Sequence, residues 1–369
     1  MKISPAINRF IALAVAATAC ALPPAVCAQI NQAVLPTTGP LSAQSVSRLL
    51  LADVARQGNR IVAVGDRGYI AYSDNNGQTW LRAKTPANLP LLNGVYFSDA
   101  NTVWAVGHDS VILKSTDQGR EWIEAHAATK DGQALMDIIF TDANTGFVVG
   151  AYGAYFETID AGKTWVSRKI IPPLASKPVS KPAANALRGE RGRGGGNASD
   201  LVDDAEKSAD EDRHLNAIIK LADHRLFIAG EAGTLLSSAD NGKTWSRLFS
   251  PYKGSYFGAV AANDGAVIIF GLRGHVYRSA NANLGAWTAI KTHTSASMMG
   301  ATKLADGAIA LAGLSGTVLL SKDDGKTFAL LASGTTKPLA APVAGAANEL
   351  LVVGESGARN VPLAATAKK

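Results

Sequence analysis

The chain repeats one short pattern of apolar and polar positions. An apolar run ends in Gly, two variable residues follow, and a second Gly or small residue opens the next apolar run. The first Gly of this signal stands at Gly65, Gly107, Gly150, Gly230, Gly271, Gly313 and Gly354, at spacings of 42, 43, 80, 41, 42 and 41 residues. A fixed period of this length marks a repeat architecture in which each unit buries its apolar face against the next. Within the second unit four short apolar segments alternate with turn residues, at 92–97, 102–106, 111–115 and 122–127. The third unit repeats them at 135–140, 146–149, 155–158 and 165–168. Four short antiparallel strands per unit predict the blade of a β-propeller, and seven units predict an all-β, seven-bladed ring. The seventh unit stops after its third strand, near Ala365. Residues 35–46 precede the first full unit, so this N-terminal stretch is expected to supply the missing outer strand and close the ring.

A second signal follows the first in each unit. The octapeptide Ser/Thr-x-Asp-x-Gly-x-Thr-Trp places Asn75, Asp117, Asp160, Asp240 and Asp323 at its third position. Trp80, Trp122, Trp165 and Trp245 end it, Phe328 replaces Trp in the sixth unit, and a worn copy in the fifth ends at Trp287. This is the Asp-box, or BNR, pattern. An Asx side chain can bond to nearby backbone N–H groups while Gly takes a positive φ, which makes a tight hairpin turn. The Trp then begins the returning strand with a large apolar face. These acids are therefore read as turn locks and not as catalytic carboxylates.

Around the repeats, residues 1–28 read as an export signal. Lys2 and Arg9 precede an apolar stretch, Pro23 and Pro24 break it, and Val26-Cys27-Ala28 offers a cleavage site. A retained N-terminal anchor and lipidation at Cys20 are the competing readings. Both cysteines, Cys20 and Cys27, lie inside this segment, so the mature chain 29–369 is expected to carry no thiol. Residues 167–212 form a long insertion between the third and fourth units. Its first half is basic, with Arg188, Arg191 and Arg193 in a Gly-rich run, and its second half is acidic.

Composition narrows the function. Hydrophobic residues make up 47% of 369 and charged residues 18%, so the chain can bury a core. A net charge of +6 is too mild to imply nucleic acid, and export argues against it. His108, His126, His214, His224, His275 and His293 sit in different units without ligand spacing, so neither a metal nor another cofactor is expected. A sialidase-type glycoside hydrolase, which shares the Asp-box, is the alternative, together with a carbohydrate-binding propeller. The hydrolase needs arginines from separate blades, whereas Arg48, Arg56, Arg60 and Arg67 crowd the first.

Residues 93–122 and 137–165 together resemble the photosystem II stability/assembly factor family, and the similarity extends over all seven units, about residues 45–365. The resemblance implies an exported seven-bladed propeller without catalysis that helps a membrane protein complex to assemble; relatives also occur in non-photosynthetic bacteria. The long insertion and Asn75 depart from a typical member. It further implies a monomer in the periplasm, or in the thylakoid lumen of a photosynthetic host, in peripheral contact with a membrane. The partner would be a protein client such as a photosystem component or an envelope transporter. Propeller geometry puts the Gly-x-x-Gly turns and the insertion on one face, opposite the octapeptides. The expected client contacts are accordingly Arg67, His108, Tyr152 and Arg273 in the turns, with Arg188, Arg191 and Arg193 in the insertion.

Overall fold

The computed structural model describes residues 38–128, 132–172, 213–280 and 285–363. Seven antiparallel sheets follow one another along the chain. The first blade shows the common plan, with β1 (Gly39–Leu41), helix α1 (Ala43–Val46), β2 (Leu51–Gln57), β3 (Arg60–Gly65), β4 (Ile70–Ser73) and β5 (Trp80–Arg82). Strands two to five of this set run from the axis outwards as a four-stranded meander. Five more four-stranded blades occupy residues 92–126, 135–167, 215–247, 256–290 and 298–331. The seventh has three strands, Leu339–Ala344, Glu349–Gly354 and Gly357–Pro362. The fold is a seven-bladed β-propeller.

The second strand of each blade is the most buried element; all six residues of β3 and all five of Val103–Gly107 are buried. Strands covered on both faces read as continuous apolar runs, which is why the sequence announces them so clearly. Blade-to-blade packing is equally regular. The Gly of every well-formed octapeptide lies on the second strand of the preceding blade, where a Cβ on Gly162 would come within 2.1 Å of Trp104; Gly285 of the worn copy meets Phe249 instead. Gly119 meets Val62, Gly242 meets Phe147, and Gly325 meets Ile268 in the same way. Gly77 of blade one meets Leu351 of blade seven, so the ring closes through the contact used everywhere else.

Of residues 35–46, expected to supply the closing strand, the described ones, 38–46, form no strand of blade seven. β1 pairs with β5, Gly39 opposite Arg82 and Leu41 opposite Trp80, and makes blade one five-stranded. Its direction is that of β4, opposite to the run of a fourth strand in blade seven. Ser42 caps α1, and the chain from 42 to 50 then crosses the top of blade seven, with the Val46 carbonyl 1.8 Å from where a Cβ of Gly357 would be. The outer edge of blade seven carries Arg359, Asn360 and Pro362 where blade one has Ile70, Ala71 and Ser73. Charged, polar and Pro residues protect an exposed strand edge. Among the described residues, closure thus rests on packing of whole blades and not on a shared sheet.

The insertion is also shorter at its start than the sequence suggests. Ser167 pairs with Phe156, the Arg168 amide donates to Tyr155 O at 3.0 Å, and Ile170 is buried in the core of blades three and four. Residues 167–171 therefore belong to blade three. Arg188, Arg191 and Arg193 lie outside the described residues.

Candidate functional site

The octapeptide turns show how their side chains are used. Ser115 Oγ donates to Asp117 Oδ1 at 2.7 Å and accepts from the Gly119 amide at 2.9 Å. Asp160 Oδ1 accepts from the Thr164 amide at 2.9 Å, and Oδ2 accepts from the Thr164 hydroxyl at 2.7 Å. Asp240 and Asp323 repeat this with Thr244 and Thr327. Asn75 substitutes by accepting from the Thr79 amide and donating its own N–H to Thr79 Oγ1. Trp80 and Trp122 donate their indole N–H to Gly77 O and Gly119 O. Trp165 and Trp245 are buried at the corresponding places. Trp287 departs from the pattern and donates to Phe249 O in blade four at 3.1 Å. The Thr164 hydroxyl, then its amide, hold Asp160 down to about 2, and Thr244 does the same for Asp240. Carboxylates whose lone pairs are already taken are poor general bases.

The opposite face is built differently. In blades one to six the turn between the second and third strands is a single tight 3-10 turn that starts after an extended Gly. Its middle residue is left-handed in six blades: Arg67, Asp109, Tyr152, Ala232, Arg273 and Ser315, with φ between 50° and 57°. None is Gly, Asn is absent, and a left-handed L-residue costs about 1–2 kcal/mol. In five of the six turns a Gly follows, and in blade two Ser110 takes its place with φ 53°. At Gly316, φ is +67° and a Cβ would lie 1.9 Å from Thr335 O, so the link to the next blade fixes the turn from above. The middle side chain has no room inward and projects from the face.

Of the predicted contact residues, Arg67 is 85% exposed with Asp66 3.7 Å away. Tyr152 is 60% exposed, its ring edge-on to His214 at 5.0 Å. Arg273 is exposed, and its amide donates to Ser297 Oγ at 3.1 Å. His108 stands one position earlier in its turn than the other three, and Asp109 takes the left-handed place instead. These residues occupy blades one, two, three and five, so the ring displays them in separate sectors of one face. Two acids of the same face are already engaged: Glu355 with Lys337 at 2.9 Å, and Glu231 near His214 at 3.9 Å.

A second set of polar residues was not singled out in the sequence. Asp53 Oδ2 accepts from the Val95 amide at 2.8 Å, and Asn93 Nδ2 donates to Leu135 O at 2.8 Å. Asp137 Oδ2 accepts from the Ile218 amide at 2.9 Å, and Asn216 Nδ2 donates to Tyr256 O at 2.7 Å. The four residues lie on the innermost strands and latch blade one to two, two to three, three to four, and four to five. Desolvation pushes Asp53 up to about 7, with Asp137 adding repulsion, and pushes Asp137 up to about 7 as well. Their spacing, one apolar position from Leu51 and Leu135 across a bulge, was the only available sign. Among the described residues, no three His, Cys, Asp or Glu side chains are placed to share a metal, and no helix is long and apolar enough to cross a membrane.

No protein-family model matches the chain, and no curated protein matches it. Solved structures do. One described as "YCF48 bound to D1 peptide" superposes with a TM-score of 0.60 at 14% identity, over 89% of this chain and 95% of that one. YCF48 from Cyanidioschyzon merolae gives 0.61 at 15% identity, over 88% and 97%. Streptogramin B lyase gives 0.63 at 11% identity, over 88% and 96%. At these identities the likeness shows the propeller fold alone.

Proposed function

We propose that the chain is an exported, non-enzymatic propeller whose Gly-x-x-Gly face holds a protein client and assists the assembly, stability or repair of a membrane protein complex. The observation that carries this reading is the ring of non-glycine residues kept left-handed on one face, with Arg67, Tyr152 and Arg273 projecting outwards. Strain of this kind persists where the surroundings impose it and is concentrated at binding sites. Arg and Tyr are enriched in protein interfaces. The octapeptide face offers much less, since its side chains are spent on their own turns. Its hydrogen-bond pattern supports assigning those turns to the Asp-box class, and Asp160 and Asp240 at about 2 support a role without acid–base chemistry. The likeness to YCF48 bound to a D1 peptide supports peptide or protein as the ligand class.

Site-specific photo-crosslinking in cells of the source organism tests the reading. A photoreactive residue at 67, 152 or 273 should capture a membrane-complex subunit, while one at 76 or 161 on the octapeptide face should not. Capture only from the octapeptide positions overturns it. Sequencing the mature N-terminus tests export separately; Gln29 is the expected first residue.

A further inference from the structure

Positive charge is unevenly distributed around the ring. Between Ser246 and Lys303 the chain carries Arg247, Lys253, Arg273, Arg278, Lys291 and Lys303 against one acid, Asp264, although the whole chain is only +6. Asp264 is bonded to Arg278 on the octapeptide side. The upper side of blade five keeps Lys253, Arg273 and Lys291, all exposed and without an ion-pair partner among the described residues. The acid of the adjoining blade-four turn, Glu231, is the one beside His214.

The same sector holds a group of aromatic rings. Tyr252 lies 4.2 Å from His275, 6.2 Å from Tyr256 and 6.4 Å from Tyr277. Its loop meets the blade-five turn directly, since the Leu272 amide donates to Ser255 O at 3.0 Å. Tyr252, Tyr277 and Trp287 are half-buried on the shared core of blades four and five, and Phe249 beside Trp287 is 68% exposed. Trp80 and Trp122 fold back on their own turns, whereas Trp287 reaches across to blade four and leaves an aromatic strip in the crevice.

We propose that this strip is a docking subsite for an extended acidic segment of a partner protein that carries an aromatic or large apolar side chain. The proposal rests on the protein-binding reading and names the chemistry of the ligand. Lys253, Arg273 and Lys291 receive the carboxylates, and Phe249 with Trp287 and Tyr277 receives the apolar side chain. A single-stranded nucleic acid would need ring faces presented for stacking. Here Tyr252, His275 and Tyr277 turn their faces on one another, so a side chain fits better than a base.

The test is fluorescence anisotropy with the full chain and a blocked, fluorescein-labelled Asp-Glu-Phe-Glu-Asp peptide. Wild type should bind it, and Lys253→Glu/Arg273→Glu and Phe249→Ser should each weaken binding by roughly tenfold. Lys163→Glu, an exposed position in the blade-three octapeptide turn, should leave it within about twofold, as expected for a distant site. The Ala-for-Phe peptide should bind about tenfold more weakly, and Lys-Lys-Phe-Lys-Lys should not bind. Circular dichroism confirms that each variant is folded. No binding by wild type, no effect of the blade-five variants, an equal effect of Lys163→Glu, or tighter binding of a fifteen-nucleotide oligothymidylate overturns the assignment. If it falls while crosslinks from 67 and 152 still capture a subunit, the protein-binding reading stands and only its blade-five chemistry is lost.

Discussion

Asp137→Asn should destabilise the protein at acid pH and lose that deficit, or reverse it, at alkaline pH. In the folded protein the carboxyl titrates near 7, against about 4 in an unfolded chain. Between these values the native state binds the extra proton, so stability falls as pH rises from about 4 to about 7 and is level on either side. A shift of this size corresponds to at most about 4 kcal/mol. The side chain is only half-buried, on an innermost strand beside the central channel, and water there reduces the penalty to about 1–2 kcal/mol. Asn keeps an oxygen for the Ile218 amide but turns an N–H towards the Ile138 amide, which the native Oδ1 accepts at 2.8 Å. That loss costs about 1 kcal/mol at every pH. At pH 5 the variant should therefore melt below wild type, and by pH 8 the deficit should vanish or reverse. The difference in Tm between variant and wild type should move by about 2–6 °C across this interval. Thermal unfolding followed by circular dichroism at pH 5, 6, 7 and 8 measures it. A Tm difference that stays constant, or one that favours wild type increasingly as pH rises, would refute a raised pKa and indicate a carboxylate stabilised in its charged form.

Gly316→Ala should destabilise by at least about 2 kcal/mol in urea unfolding, because positive φ and the 1.9 Å approach to Thr335 O act together, whereas Gly39→Ala, with open space around it, should cost less than half as much. Ser115→Ala removes a buried hydroxyl that both donates to Asp117 and accepts from Gly119, and should cost about 1–2 kcal/mol by the same measurement. Deleting residues 29–47 removes buried Leu41 and Val46 and should cost about 3–5 kcal/mol. Hydrogen exchange should then show protection lost in Trp80–Arg82 of blade one, where β1 pairs, and loss confined to Gly357–Pro362 would contradict the observed pairing.

The number of blades was legible from the sequence because it depends on local signals. Each second strand is buried on both faces and so must be apolar throughout, and each octapeptide closes by bonds among residues four apart or fewer. The strands expected at 92–97, 135–140 and 155–158 were placed to the residue for that reason. The Gly-x-x-Gly turns were equally readable, and so was their separation from the octapeptides onto opposite faces, since antiparallel strands fix the face of every turn. Only the tertiary structure decided which way the chain runs before blade one. β1 is three residues long, and either neighbouring edge would accept it; the choice follows from Arg359, Asn360 and Pro362 guarding one edge and from the path of 42–50 over Gly357. The same holds for the latches. Asp53, Asn93, Asp137 and Asn216 look like isolated polar residues in apolar strands until the next blade brings up Val95 N, Leu135 O, Ile218 N and Tyr256 O. The aromatic strip of blade five likewise depends on Trp287 leaving its own turn for Phe249, 38 residues earlier. Local turns are specified by neighbours in sequence, whereas the latches need partners about one repeat away that only the closed ring brings within hydrogen-bond reach.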